Sequence, residues 1–271
     1  MNNIIYYYQT MSTLSPIIKL GQKNIIVYIS SIHFGKNNKG EPYIHINDAK
    51  PNNQGNLWND AYNAYNNDIK IMVMMGGAGG AYTDLFNNFD TYYNLLVNFL
   101  SDYSFISGID LDIEEYVNIE NVKMLINKLK TDFGNNFIVT MAPIAQALES
   151  DEPGLGGFSY KELYNSNEGK LINWFNVQCY GCYNFTTISN IVNNGYPSNK
   201  IVFGMLGDNF NSNTFQEALS EINKVYKKYN NIKGCVLWEY GDTNIDPIIW
   251  GTSINKIFNE EYKNLLCCNF I

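Results

Sequence analysis

The sequence contains no arginine, and its 18 basic residues, all lysine, are outnumbered by 26 acidic residues, for a net charge of -8. An acidic chain without a guanidinium group is poorly suited to contacting phosphates, which argues against nucleic-acid binding. Two histidines and five cysteines without framework spacing exclude a disulfide scaffold and offer few ligands for a transition metal. No apolar run approaches the length of a membrane span.

Few features of the sequence point to a compartment. The N-terminus lacks a basic segment followed by an apolar stretch, so we expect cytoplasmic synthesis and leave extracellular or virion release open. The last four residues, which begin at Cys268, superficially match a prenylation box, but asparagine in an aliphatic position argues against it. Cys179 and Cys182 form an isolated C-x-x-C pair, which we interpret as ordinary cysteines. We therefore expect neither a metal nor another cofactor.

Eight short apolar runs, rich in β-branched and aromatic residues, recur along the chain and predict strands. They span residues 4–9, 24–31, 69–75, 105–113, 137–142, 174–180, 200–206 and 234–239. Helical patterns lie at residues 57–67, 92–101, 121–131, 160–165, 187–193, 214–229 and 254–262. Strands that alternate with helices pair in parallel, so eight such units predict an α/β fold, a (β/α)8 TIM barrel in a single domain over residues 1–271. An open doubly wound sheet is the alternative.

Two long segments depart from a minimal barrel. Residues 33–56 are rich in Asn, Gly and Pro, and an alternating stretch around His45 predicts a hairpin arm. Residues 146–159 show no helix or strand pattern. Both segments follow the C-terminal ends of strands, where barrel enzymes assemble their sites, so we expect both to shape the site.

The most informative stretch is SGIDLDIEE, at residues 107–115. Asp110, Asp112 and Glu114 alternate with aliphatic residues, so a strand would place the acids on one face, roughly 7 Å apart. In a barrel, the aliphatic face would contact the helices and the acids would line the interior up to its mouth. Crowded carboxylates in a low-dielectric interior cannot all ionise cheaply, so one should hold a proton near neutral pH, as a general acid must. A solvated acidic strand or a metal-binding edge is the alternative.

This stretch resembles the D-G-x-D-x-D-x-E motif of glycoside hydrolase family 18, which comprises retaining chitinases and endo-β-N-acetylglucosaminidases. Further stretches resemble other strands of that family in the same order: MVMMGGAGGAY (72–82), VTMAPIAQ (139–146), NVQCYG (176–181) and GCVLWEYGD (234–242). The Gln-x-Tyr form within NVQCYG is similar to the small class III chitinases of plants. The resemblance covers the whole chain and implies a barrel that hydrolyses bonds next to N-acetylglucosamine.

The resemblance also implies catalytic residues. Glu114 takes the place of the acid that protonates the glycosidic oxygen, while the acetamido oxygen of the substrate serves as the nucleophile. Asp112 matches the residue that orients the acetamido group, and Asp110 matches the residue that shares a proton with it. Tyr180 matches the phenol that hydrogen-bonds the acetamido oxygen.

Substrate-binding residues follow from the same resemblance. Gln178 is expected to contact the sugar, Trp238 to form the apolar floor beneath it, and Met141 and Gly77 to complete the pocket. The family motif begins with Asp where this chain has Ser107. We expect Ser107 to sit beneath Asp110 and Asp112, where it would keep a hydrogen bond but remove one charge from the proton-sharing chain.

Three functions remain open at this stage. The first is hydrolysis of β-1,4 bonds next to N-acetylglucosamine, in chitin and chitooligosaccharides or in the chitobiose core of N-glycans. The second is a lectin-like barrel that only binds such sugars. The third is a metal-dependent barrel hydrolase, which would need more histidines. We expect an N-acetylglucosamine-containing oligosaccharide or polysaccharide as the partner, and a monomer.

Overall fold

The computed structural model describes residues 2–9 and 12–259, and Cys268 with its prenylation-like ending lies outside them. The strands are β1 (Asn3–Tyr8), β2 (Ile25–Lys36), β3 (Pro42–Ile46), β4 (Lys70–Gly76), β5 (Ile106–Asp112), β6 (Ile138–Met141), β7 (Trp174–Gln178), β8 (Ile201–Leu206) and β9 (Gly234–Trp238). The helices are α1 (Ser15–Lys19), α2 (Gly55–Tyr65), α3 (Tyr82–Asn87), α4 (Phe89–Asp102), α5 (Ile119–Phe133), α6 (Ala145–Glu149), α7 (Tyr160–Asn165), α8 (Phe185–Asn193), α9 (Ser212–Lys228) and α10 (Pro247–Phe258).

Eight parallel strands close into a barrel, because β1 pairs with both β2 and β9. The remaining strands follow in chain order, and only β3, outside the barrel, is antiparallel to its neighbour. The predicted (β/α)8 fold is therefore confirmed, and the open sheet is excluded. Among the residues that the structure describes, no helix is both long and apolar enough to cross a bilayer.

Helix α5 illustrates how the sequence determines these elements. The Asn118 side chain accepts a hydrogen bond from the Glu120 N–H at the start of the helix, as an N-cap residue does. Gly134, with φ of 82°, ends it in a conformation that costs glycine little. Its buried face packs onto the barrel through Val122, Leu125, Ile126 and Leu129.

All eight predicted barrel strands appear at their expected places, and each of the seven predicted helices overlaps an observed one, although α10 begins at Pro247, before the predicted start at residue 254. The last of these predictions extended to residue 262, beyond the described residues. Helices α1, α3 and α6, each of five or six residues, were not predicted, since such short helices show little of a helical period, although the six-residue α7 was predicted. The expectation that residues 146–159 contain no helix is wrong, because α6 covers the first of them.

The predicted hairpin arm is confirmed. Strand β2 continues past the barrel rim and pairs with β3, so that His33 lies opposite His45. Ile46 turns inward and is fully buried, whereas the two histidine rings stack 5.6 Å apart. The arm therefore forms one wall above the C-terminal mouth of the barrel.

Apolar side chains fill two layers, one inside the barrel and one between the barrel and its helices. The inner cluster consists of Ile5, Tyr7, Ile26, Tyr28, Met72, Met74, Trp174, Val202 and Val236. The aliphatic residues of β5, Ile109 and Leu111, belong to the outer cluster. This alternation leaves the interior face of β5 to its acids.

Candidate active site

The acids of β5 point into the barrel, as the alternation of the sequence predicts. Asp110 has no solvent-exposed surface and Asp112 is 5% exposed. Glu114 follows the end of the strand and is half-buried at the barrel mouth. A column of carboxyl groups thus rises from the core of the barrel to its opening, and solvent exposure increases from Asp110 to Glu114.

Asp110 is held by hydrogen bonds from three strands. The Tyr7 hydroxyl donates to Oδ2 at 2.6 Å, and the Thr140 hydroxyl donates to Oδ1 at 2.5 Å. Asn176 Nδ2 donates to the same Oδ1 at 3.0 Å. Burial raises the pKa of Asp110 to about 6, although these three hydrogen bonds oppose the increase.

Asp112 lies above Asp110 and is more strongly perturbed. Burial raises the pKa of Asp112 well above its usual range, and the neighbouring charges of Glu114 and Asp110 raise it further. These shifts favour the protonated form of Asp112, which is the direction expected if crowded acids cannot all ionise.

Gln178, at the end of β7, connects the two upper carboxyl groups. Its Nε2 lies 3.2 Å from Asp112 Oδ1 and 3.2 Å from Glu114 Oε1, and it also donates to the Ala142 carbonyl at 2.8 Å. A carboxamide has two N–H hydrogens for these three acceptors, so Asp112 and Glu114 share one of them. This fixes the spacing of the pair.

Tyr180 and Trp238 complete the site at the ends of β7 and β9. Burial raises the pKa of the Tyr180 phenol well above its usual range, as do the charges of Asp112 and Glu114, so this hydroxyl stays protonated and can donate. The half-buried Trp238 ring packs against Tyr7 with centroids 5.1 Å apart, at the edge of the inner apolar cluster.

Gly77 lies beside the acids. Its N–H donates to the Asp112 carbonyl at 2.9 Å, and its φ of 83° favours glycine. A Cβ at this position would lie 3.0 Å from Met74 Cε and 3.7 Å from Asp112 Oδ2. Glycine therefore keeps the space beside Asp112 open.

Met141 does not reach the site. Its side chain is fully buried in the layer between the barrel and the helices. Its neighbour Thr140 takes the interior position on β6 and donates to Asp110. The prediction of Met141 as a substrate-binding residue is wrong, because successive residues of a strand face opposite sides.

No grouping of His, Cys, Asp or Glu among residues 2–9 and 12–259 is suited to hold a metal ion. Cys179 and Cys182 are both free thiols beside Tyr180.

Two solved structures share both fold and sequence with this chain. A fungal endo-β-N-acetylglucosaminidase of glycosyl hydrolase family 18 is 28% identical, with a TM-score of 0.83 over 95% of this chain and 98% of that chain. The chitinase ChiC from Aspergillus fumigatus is 26% identical, with a TM-score of 0.79 over 90% of this chain and 93% of that chain. The chain is thus similar in both fold and sequence to enzymes of glycoside hydrolase family 18, which supports a glycoside hydrolase.

Further comparisons show the fold alone or find no match. A family 18 chitinase from Pseudoalteromonas aurantia, 18% identical with a TM-score of 0.68, shares the fold. No protein-family model and no curated protein matches this chain.

The serine that replaces the first Asp of the family 18 motif lies outside the proton-sharing chain. Ser107 Oγ donates to the Ile71 carbonyl at 2.9 Å, while Asp110 bonds to side chains of β1, β6 and β7. The expectation that Ser107 supports Asp110 and Asp112 is therefore wrong. A substitution at Ser107 would therefore break no hydrogen bond to Asp110 or Asp112.

Four polar residues of the site were not predicted from the sequence, namely Tyr7, Tyr28, Thr140 and Asn176. The Tyr28 hydroxyl lies 3.3 Å from the Thr140 hydroxyl, which in turn donates to Asp110, so all four belong to one buried network of hydrogen bonds. The sequence did contain a signal for them, because Thr140 and Asn176 are polar residues within apolar strands, at interior positions of the barrel.

We expect the buried acid Asp110 to make the stability of the protein pH-dependent. Asp110 binds its proton more tightly in the folded protein (pKa about 6) than in the unfolded chain (3.8), so its contribution to stability is complete below pH 4. That contribution is lost as the pH rises through about 6. From pH 4 to pH 8, wild type should lose up to about 3 kcal/mol of unfolding free energy relative to Asp110→Asn.

Urea unfolding of both proteins at several pH values measures this difference. The conservative Asp132→Asn, at a carboxyl paired with Lys128 on the outer surface, serves as the control. A difference between wild type and Asp110→Asn that does not change with pH would contradict the prediction.

Proposed function

We propose that this glycoside hydrolase cleaves β-1,4 bonds next to N-acetylglucosamine with retention of configuration, using the acetamido group of the substrate as nucleophile. The observation that carries the proposal is the Asp112–Glu114 pair at the barrel mouth, bridged by Gln178, in which burial and the neighbouring carboxyl groups favour the protonated form of Asp112. We also propose that residues 1–271 form one catalytic domain and act as a monomer.

In this mechanism, Glu114 donates a proton to the glycosidic oxygen as the bond from that oxygen to C1 breaks. The acetamido oxygen attacks C1 and forms a bicyclic oxazolinium-like intermediate, so no second carboxylate needs to act as nucleophile. Water then attacks C1, and Glu114 takes up the released proton as a general base. Net retention follows from the two displacements.

The neighbouring side chains would support these steps. Asp112, next to the position of the acetamido group, would orient it and stabilise the positive charge as it develops. Asp110 beneath it can exchange a proton with Asp112. The Tyr180 hydroxyl would donate to the acetamido oxygen, and the half-buried Trp238 ring would support the sugar from below.

Chitin or chitooligosaccharides are the substrate that we propose first. The chitobiose core of N-glycans is the alternative, and one observation favours it: a fungal endo-β-N-acetylglucosaminidase matches 95% of this chain at 28% identity. The mechanism accepts either substrate, because both place an acetamido group beside the scissile bond.

The deciding experiment offers the wild-type protein penta-N-acetylchitopentaose and, separately, a glycopeptide with an intact N-glycan. Proton NMR over the first minutes identifies the products and their anomeric form. We expect β-anomers from the oligosaccharide. Cleavage of the glycopeptide alone would establish the alternative substrate, α-anomers would overturn the mechanism, and binding without cleavage would indicate a lectin-like barrel.

A further inference from the structure

The side chain next to Glu114 in the sequence connects the site to a neighbouring loop. Glu115 Oε1 accepts hydrogen bonds from the N–H groups of Ala81 and Tyr82, the latter at 2.6 Å. Glu115 Oε2 accepts from the Thr83 N–H at 3.2 Å and from the Thr83 hydroxyl. One carboxylate thus binds the first turn of α3, which has no capping side chain of its own.

These hydrogen bonds keep Glu115 ionised. Burial alone would raise the pKa of Glu115, but the bonds from Thr83, Tyr82 and Ala81 outweigh it and lower the pKa. Charge-assisted hydrogen bonds are roughly twice as strong as neutral ones, so the contact with α3 is a firm attachment.

The glycine-rich loop before α3 is built around this carboxylate. A Cβ at Gly80, where φ is 67°, would lie only 3.0 Å from Glu115 Oε1. The Gly80 carbonyl contacts His33 Nδ1 of the hairpin arm at 2.6 Å. At the other end of the loop, Gly77 N–H bonds the Asp112 carbonyl at 2.9 Å. The loop therefore joins β5 to both α3 and the arm.

Glu114 lies between these two attachments. The backbone at residues 113–115 belongs to no strand or helix, so it is not held by a regular ladder of hydrogen bonds. On one side the Asp112 carbonyl is bound by Gly77, and on the other the Glu115 side chain is bound by α3. The position of the Glu114 carboxyl group depends on both.

We propose that Glu115 is a positioning residue that holds Glu114 at the glycosidic oxygen by anchoring the backbone after β5 to α3. The inference rests on the function proposed above, because it concerns proton donation by Glu114. It also explains Gly80, which leaves room for the Glu115 carboxylate.

The test compares two leaving groups. Glu115→Gln should lower kcat on penta-N-acetylchitopentaose by about tenfold, because a displaced acid transfers its proton poorly, with KM within about threefold of wild type. On a 4-methylumbelliferyl chitooligoside, whose phenol leaves with little protonation, the loss should stay within about threefold. Glu120→Gln, at an exposed carboxyl paired with Lys123, is the matched control and should behave as wild type.

A second variant, with a smaller structural change, controls for misfolding of Glu115→Gln. Thr83→Val removes one hydrogen bond to Glu115 and keeps the shape of the side chain. It should lower kcat on penta-N-acetylchitopentaose by about two- to threefold, with a smaller loss on the methylumbelliferyl substrate. Thr83→Ser, which keeps the hydroxyl, should have the activity of wild type. Equal losses on both substrates, or no loss in either variant, would overturn the positioning role alone. A wild-type protein that cleaves neither substrate would overturn the proposed function and this inference with it.

Discussion

Replacing Glu114 by glutamine is expected to lower kcat on an N-acetylchitooligosaccharide by about 10²-fold or more while leaving Kd within about threefold. The carboxamide keeps the size of the side chain and its place beside Gln178 at the barrel mouth. It cannot supply the proton that the departing sugar oxygen requires. Steady-state kinetics and calorimetric titration with the same oligosaccharide measure the two quantities.

Two comparisons separate this effect from a general loss of structure. Glu120→Gln makes the same chemical change at an exposed salt bridge with Lys123 and should leave kcat unchanged. With a 4-methylumbelliferyl substrate, the loss in Glu114→Gln should be smaller, since that leaving group departs more readily without a proton. Activity of Glu114→Gln equal to that of wild type on the oligosaccharide would remove Glu114 from the role of acid.

The barrel and its acidic strand could be predicted because both depend on alternation along the chain. Each strand is a short apolar run, and on β5 the acids occupy every second position. Because Ile109 and Leu111 face the helices, Asp110 and Asp112 face the interior of the barrel. Alternation is a local property of the sequence. It assigns the same residues to the interior face even when the predicted bounds of a strand are wrong by one or two residues.

The partners of the acids depend on contacts between distant strands. Asp110 is bound by Tyr7, Thr140 and Asn176, which come from β1, β6 and β7 and meet only after the barrel closes. The attachment of Glu115 to α3 likewise joins residues more than thirty positions apart. Helix α3 was not predicted, and its six residues show little of a helical period.

The two wrong site predictions have a common cause. Met141 and Ser107 were chosen because they lie within stretches that resemble family motifs, without regard to which face of the strand they occupy. Met141 packs in the outer layer, and Ser107 bonds the carbonyl of the neighbouring strand. Resemblance along a strand identifies the strand, whereas its alternation decides which residues reach the substrate.

Replacing Asp112 by asparagine is expected to lower kcat by about 10²-fold with little change in folding. Burial and the neighbouring carboxyl groups favour the protonated form of Asp112, and a neutral side chain of the same shape introduces no new charge into the barrel. The carboxamide oxygen of the variant would still accept from Gln178. The carboxamide could not become anionic when positive charge develops on the acetamido group, and that electrostatic stabilisation would be lost.

The pH dependence of Asp112→Asn tests this reasoning independently of the size of the loss. In wild type, the proton held at Asp112 is adjacent to Glu114 and forms part of the proton supply of the pair. Without it, the alkaline limb of the kcat profile should move to lower pH. Asp132→Asn, on the outer surface, should leave the profile in place. A reduced kcat with an unchanged alkaline limb would mean that Asp112 orients the acetamido group without sharing a proton with Glu114.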